Sequence, residues 1–76
     1  MNAQKEDPFA MFAAWLDGRP GLAAEFARYA EVSESSVSRW RKRLAIPSPP
    51  VARLIERRAG IRRALWEPLR AKRRAA

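Results

Sequence analysis

Hydroxyl and cationic side chains share one side of a predicted helix in the middle of the chain, from Ser33 to Leu44. At helical spacing this polar side consists of Ser35, Ser38, Arg39 and Lys42. A helix that enters the major groove of DNA needs such a side, because small residues allow a close approach to base edges and an arginine can bond bidentately to guanine. The same pattern is typical of a solvated amphipathic helix with a basic face, so this segment alone leaves both interpretations open.

The opposite side of the predicted helix is apolar. Val37, Trp40 and Leu44 fall within about 60° of one another on a helical wheel, which makes one narrow stripe. Arg41 and Arg43 lie between the two sides, where cations would contact phosphates and fix the register of the helix on DNA. We therefore expect the apolar stripe to be anchored in a core and the polar side to be free.

Proline and glycine divide the rest of the chain into short helices, and no segment has a convincing strand pattern. Four helices are predicted, over about residues 8–17, 21–30, 33–44 and 49–59. Asp7 before Pro8 is typical of a helix start, and Ser48 before Pro49 repeats the arrangement. Gly60 is the expected left-handed terminator of the fourth helix. The sequence thus predicts one all-α domain of four to five short helices over residues 1–69.

The apolar pattern weakens after Gly60. The remaining apolar residues are Ile61, Leu65, Trp66 and Leu69. They fit either one short helix broken by Pro68 or an extended arm. A monomer of 76 residues has little interior in which to bury both Trp15 and Trp66, and tryptophan is favoured in interfaces. We therefore expect residues 61–69 to contribute to dimerisation.

Charge is distributed unevenly along the chain. Residues 1–38 carry a net charge of −3 (3 Lys/Arg against 6 Asp/Glu), residues 39–76 carry +11 (13 against 2), and the total is +8. This asymmetry favours a nucleic-acid partner over an acidic membrane or protein surface, or over a role in solubility alone. Residues 70–76 are predicted to be a disordered basic tail, which either contacts phosphates outside the main site or only aids solubility.

The chain contains neither cysteine nor histidine, which removes disulfides and the usual zinc ligands. No cofactor or metal is expected. The acidic residues show no paired arrangement beside an apolar pocket, and no glycine-rich phosphate loop is present, so we expect no enzymatic activity. The longest apolar run, residues 9–16, is too short to span a bilayer, and no secretory signal is visible. We therefore expect a soluble, intracellular protein, with no membrane partner and no small-molecule ligand.

The stretch from residue 22 to residue 43, LAAEFARYAEVSESSVSRWRKR, resembles the helix-turn-helix of the Cro and lambda-repressor family. Ala27 matches the small residue of that family's first motif helix, and Val32 matches the apolar residue of its turn. Val37 and Trp40 match the apolar pair of its second helix, in a Val-Ser-x-Trp arrangement common among phage Cro-like proteins. The chain departs from the family at Glu31, where a left-handed glycine is usual. It also departs at the start of the first motif helix, where the family has a polar residue.

The resemblance implies a lambda-repressor-like domain with its motif over about residues 22–44. It implies a small regulator of transcription, most simply a repressor, that binds double-stranded DNA at an inverted repeat as a homodimer. Base contacts are implied for Ser35, Ser38 and Arg39, while Glu34 either accepts a hydrogen bond from cytosine or serves its own helix start. Contacts to the DNA backbone are implied for Arg19, Ser33, Ser36, Lys42 and Arg43, with Ser36 also able to reach a base.

Two alternatives to DNA binding remain. In the first alternative the chain is a protein-binding module, such as an antitoxin or a transcription modulator, whose partner docks on residues 61–69. RNA binding is disfavoured, because no aromatic sheet surface for stacking unpaired bases is predicted.

Overall fold

A computed structural model describes residues 7–75, with side chains described through Arg74. Five α-helices make up this part of the chain: α1 (Pro8–Asp17), α2 (Leu22–Ala30), α3 (Glu34–Arg41), α4 (Pro49–Ala59) and α5 (Glu67–Ala75). A short 3₁₀ turn, Arg63–Trp66, leads into α5, and residues 7–75 contain no strand. The predicted all-α fold of four to five short helices is confirmed.

Helix α1 begins where the sequence predicts. The Asp7 Oδ1 accepts hydrogen bonds from the backbone N–H groups of Phe9 and Ala10, at 3.0 and 3.3 Å. Pro8 occupies the first helical position, where its fixed φ suits the helix and its missing N–H costs nothing. Phe12 and Leu16 lie one turn apart on the buried side of α1 and form the centre of the core.

A three-residue turn joins α2 to α3. Glu31 ends α2 in the left-handed conformation, with a φ of 57°, a backbone shape that glycine adopts more readily than residues with a Cβ. The Val32 N–H then bonds the Ala27 carbonyl oxygen at 2.9 Å, which satisfies the end of α2. Ser33 caps α3, because its Oγ accepts from the Ser36 N–H at 3.1 Å. The predicted helix, turn and helix are therefore present over these residues.

Helix α3 is shorter than predicted. It ends at Arg41, and Arg43 turns the chain in a left-handed conformation with a φ of 67°. The Leu44 N–H closes this turn on the Arg39 carbonyl oxygen at 2.8 Å. Leu44 is 68% exposed, so its assignment to the helix and to the apolar stripe was wrong. Lys42 likewise lies at the C-cap rather than inside the helix.

Helix α4 follows the predicted pattern at both ends. Ser48 precedes Pro49, although within the described residues its side chain makes no capping hydrogen bond. Gly60 has a φ of 75° and is the left-handed terminator expected from the sequence. Val51 and Ile55 face the core from α4.

The segment after Gly60 completes the core. Ile61 is 2% exposed and Trp66 is fully buried, with the Trp66 ring edge-on to Phe9 at a centroid distance of 5.3 Å. The prediction that Ile61 and Trp66 contribute to a dimer interface was therefore wrong, because both side chains are buried in the core of a single chain. The interior is larger than expected, since Trp15 also packs partly inward, with its ring centroid 5.7 Å from that of Phe26.

The prediction of a disordered tail was wrong for residues 70–75, which belong to α5; residue 76 lies outside the described residues. Pro68 stands in the first turn of α5, where proline is tolerated, and does not break the helix. None of the helices found in residues 7–75 is long and apolar enough to cross a lipid bilayer.

Candidate nucleic-acid interface

Helix α3 is held by its apolar side, which leaves its polar side outward. Val37 and Trp40 are buried, and the Trp40 ring lies 6.4 Å from the ring of Phe12 in α1. The residues predicted to contact bases are exposed or half-exposed: Glu34, Ser35 and Arg39 are exposed, and Ser38 is half-exposed. The structure thus brings all four predicted base-contact residues to the outward side of one short helix.

Arg39 is the central cation of this surface. Among residues 7–75 its guanidinium has no carboxylate within ion-pair distance and no hydrogen-bond partner. The neighbouring Arg41 differs, because its guanidinium bonds the Asp17 carboxylate at the end of α1. One arginine of α3 therefore ties the helix to the rest of the fold, and the other presents five unused N–H donors.

The two serines at the start of α3, Ser33 and Ser36, form hydrogen bonds that cap the helix. The Ser33 and Ser36 hydroxyl oxygens lie 3.1 Å apart, and Ser33 also accepts from the Ser36 backbone. Both hydroxyls remain close to the surface, since Ser33 is exposed and Ser36 half-exposed. Glu34 lies in the first turn of α3, where a carboxylate stabilises the positive end of the helix dipole.

Arg43 is engaged within the fold. Its Nη2 donates to Asp7 Oδ2 at 2.5 Å, and its guanidinium lies 5.4 Å from the centroid of the Phe9 ring. Partial burial favours the neutral form of the Asp7 carboxyl, but the bonds from Arg43 and from two backbone N–H groups outweigh it and hold the pKa of Asp7 below its ordinary value. Lys42, in contrast, is exposed and has no acidic partner in the described part of the chain.

Arg19 lies just before α2 and is also paired. Its two terminal nitrogens bond the two carboxylate oxygens of Glu25, at 2.8 and 3.2 Å. These bonds lower the pKa of Glu25 below its usual range and raise the pKa of Arg19. Both side chains are well exposed, so a phosphate can compete for the Arg19 guanidinium. The predicted phosphate contacts of Arg19 and Arg43 would each require exchange of an internal carboxylate for DNA.

Leu65 and Leu69, the remaining residues predicted for dimerisation, line a surface groove. Leu65 and Leu69 form one wall, Pro8 and Phe9 form the other, and the groove has a volume of about 380 Å³. Both leucines are half-buried, so they keep apolar surface available. The groove lies on the same side as Arg43, at the end of α3.

Three long-range contacts in this region were not predicted from the sequence. Asp7 joins the start of α1 to the end of α3, and Arg70 and Arg73 of α5 donate to carbonyl oxygens in the loop after α3. A local signal for α5 does exist, because Glu67 and Pro68 precede a run of good helix formers. The tertiary contacts have no such signal, since they join residues 23 or more positions apart.

The side chains of residues 7–75 offer no cluster of three or more groups that could hold a metal ion. No protein-family model, no curated protein and no solved structure matches the chain. The geometry of α3 and its surroundings is therefore the basis for a functional assignment.

Proposed function

We propose that this protein binds double-stranded DNA in a sequence-specific manner and regulates transcription, most simply as a repressor. The observation that carries the proposal is the outward side of α3, where exposed Arg39 has no partner among the described residues and is flanked by small serines. The proposal places the protein in the bacterial cytoplasm or nucleoid and needs no cofactor, no small-molecule ligand and no catalytic step.

The shape of α3 favours the major groove of a duplex. That groove is about 12 Å wide and accepts one α-helix, provided that the approaching side chains are small or can bond base edges. Ser35 and Ser38 meet the first condition, and Arg39 meets the second by pairing with the O6 and N7 of guanine. Glu34 can accept from cytosine N4 near the start of the helix.

Side chains at the two ends of α3 can contact the sugar-phosphate backbone of the duplex. Lys42 extends the basic surface beyond the last helical residue, and the hydroxyls of Ser33 and Ser36 lie at the other end. Such contacts fix the register of the protein on the duplex but carry no sequence information.

A homodimer is part of the proposal. Most operators are two-fold symmetric, with half-sites about one helical turn apart, so a reader of one half-site acts best in pairs. With Ile61 and Trp66 buried, Leu65 and Leu69 remain as the apolar residues of the C-terminal segment that a second copy could cover. A dimer on an operator would exclude polymerase by occupying its site.

The test is a binding selection from randomised duplex DNA with the wild-type protein and with Arg39→Ala. We expect the wild type to recover a short inverted repeat. Arg39→Ala should lose about 1–3 kcal/mol at that site and relax one base position in each half-site. Arg28→Ala, which removes an exposed arginine from the last turn of α2 rather than from α3, is the matched control and should retain the wild-type preference. Unchanged affinity and preference in Arg39→Ala would contradict the assignment of α3 as the reading helix.

The groove beside Leu65 and Leu69 favours one alternative, a protein-binding module in which contact with DNA is secondary. In that case the selection would recover no motif, and Leu69→Asp would abolish partner binding without affecting the salt-sensitive attraction to DNA. Recovery of an Arg39-dependent motif would argue against this alternative.

A further inference from the structure

Helix α5 and the turn before it carry a cluster of positive charge outside the segment α2–turn–α3. Residues 62–74 contain six Lys/Arg and a single acid, Glu67. The cations are Arg62, Arg63, Arg70, Lys72, Arg73 and Arg74. All except Arg70 are exposed. Like charges held this close repel one another, and a polyanion relieves that repulsion.

Two of these arginines fix α5 beside the end of α3. Arg70 Nη1 donates to the Pro47 carbonyl oxygen at 2.6 Å, and Arg73 Nη2 donates to the Arg43 carbonyl oxygen at 2.7 Å. The Arg73 guanidinium also lies 5.9 Å from the centroid of the Phe9 ring. Both carbonyl groups belong to the loop that leaves α3, so α5 is anchored to that loop at two points one helical turn apart.

The two cations of α5 that do not anchor it to the loop are Lys72 and Arg74, which lie two residues apart and project from different sides of the helix. In residues 7–75 neither has a carboxylate partner or a side-chain hydrogen bond, and both are exposed. Their position in the last turn of a helix stabilises them, because the negative end of the helix dipole attracts cations. The anchored helix therefore holds two available cations at a fixed place relative to α3, which a solvated tail would not do.

We propose that α5 is a second DNA-contacting element, whose Lys72 and Arg74 bind phosphates of the duplex beyond the C-terminal end of α3. This inference rests on the proposed binding of DNA by α3. Arg70 and Arg73 are positioning residues, because they act by placing α5. Phosphate contacts carry no base information, so α5 strengthens binding to every sequence and leaves base preference to α3.

The first experiment compares Lys72→Ala/Arg74→Ala with the wild type on the selected duplex, between 50 and 200 mM salt. Alanine is a strong helix former, so α5 should persist. Each phosphate contact contributes about 0.9 to the slope of log K against log[salt], so the double variant should lose about 0.9–1.8 from the magnitude of that slope, for one or two contacts. Its base preference should be that of the wild type.

The matched control is Arg28→Ala/Arg57→Ala. It removes the same two charges from exposed positions in the last turns of α2 and α4. Arg58 of α4 approaches both Glu25 and Tyr29 of α2, so these two helix ends lie together, and neither position belongs to α5 or to the loop that anchors it. The control should keep the wild-type slope, because loss of net charge alone does not remove a phosphate contact.

A second experiment locates the contact. Duplexes that each carry one neutral methylphosphonate are bound by the wild type and by Lys72→Ala/Arg74→Ala. One or two phosphates outside the Arg39-dependent base pairs should weaken the wild type when neutralised and leave the variant unaffected. Phosphates beside those base pairs should weaken both proteins alike.

Two results would overturn the inference: an unchanged slope in Lys72→Ala/Arg74→Ala, or an equal loss in the control. A wild-type protein that binds no duplex DNA would instead overturn the proposed function itself. The two failures are therefore distinguishable in the same titrations.

Discussion

Glu31 and Arg43 are the two residues outside glycine with a positive φ in the described part of the chain, and each ends one helix of the pair α2 and α3. A side chain in the left-handed conformation costs about 1–2 kcal/mol, because Cβ crowds the following carbonyl oxygen. In both cases the following residue closes the turn: the Val32 N–H donates to the Ala27 carbonyl oxygen, and the Leu44 N–H donates to that of Arg39. The angle at which α3 leaves α2 thus depends on a strained residue.

Replacing Glu31 with glycine should relieve this strain. We expect Glu31→Gly to raise the free energy of unfolding by about 0.5–1 kcal/mol, once the greater freedom of glycine in the unfolded chain is subtracted. The measurement is urea denaturation at pH 7. Glu31→Ala is the control, since it removes the carboxylate but keeps Cβ, and it should show no such gain. Equal stability of the glycine and alanine variants would mean that the turn is unstrained.

At the scale of elements, the starts of α1 and α3 and the end of α4 could be predicted from the sequence, and the contacts between helices could not. Asp7, Ser33 and Gly60 act on backbone within three or four residues, so their patterns are visible locally. The end of α3 has no such pattern, because Arg43 takes the place of a glycine and is held by Asp7 and Arg73, 36 and 30 positions away.

Part of the candidate site could likewise be predicted from the sequence and part could not. The outward side of α3 follows from a period of 3.6 residues and is confirmed as a surface, since Val37 and Trp40 are buried opposite Ser35 and Arg39. The partners of the cations could not be predicted, because they depend on how the helices pack. The burial of Trp66 has the same origin, since it requires the chain to return to Phe9.

Asp7 links two elements, because it caps α1 and pairs with the loop after α3. Asp7→Asn keeps a capping oxygen but loses the charge, so it should cost less than about 1 kcal/mol at pH 7. Asp7→Ala loses both functions and should cost about 1–2 kcal/mol more. Unfolding in urea at pH 7 measures both differences.

The pH dependence of Asp7→Asn is a sharper test of the pair. Since folding lowers the pKa of Asp7, its charge stabilises the native state fully above the ordinary Asp range, near pH 4, and this stabilisation disappears as the pH falls through the lowered value. The difference between the wild type and Asp7→Asn should therefore vanish toward pH 2. Glu25, whose pKa is also lowered, is present in both proteins and cancels. A difference that persists at low pH would show that it does not come from the charge of Asp7.

At the scale of the whole molecule, the acidic first half of the chain neutralises part of the basic second half. Among residues 7–74, three ion pairs join the halves: Asp7–Arg43, Asp17–Arg41 and Glu25–Arg58. Each is largely exposed and adds little stability alone. Together they engage three arginines of the basic half, while exposed cations such as Arg39 of α3 and Lys72 of α5 have no carboxylate partner among the described residues.

The C-terminal segment is required for the fold of a single copy. A chain of this length has a stability of about 4–11 kcal/mol, and removing a buried tryptophan side chain costs about 3–5 kcal/mol. Trp66→Ala should therefore lose about 3–5 kcal/mol of the free energy of unfolding, a large part of the total, which urea denaturation followed by far-ultraviolet circular dichroism measures. Leu65→Ala, at a half-buried neighbour, should stay folded. If Trp66 instead contacted a second copy, Trp66→Ala would leave a folded monomer, and the wild-type melting temperature would depend on protein concentration.

The burial of the aromatic core has a spectroscopic consequence. Trp66 and Trp40 are buried and Trp15 is half-covered by Phe12 and Phe26, so the indole of each is at least partly shielded from solvent. The folded protein should emit at short wavelength and resist quenching by acrylamide, and unfolding should shift the emission to the red. Because the outward side of α3 carries no tryptophan, a duplex bound there would leave this emission nearly unchanged. The intrinsic fluorescence of the chain therefore reports folding separately from binding.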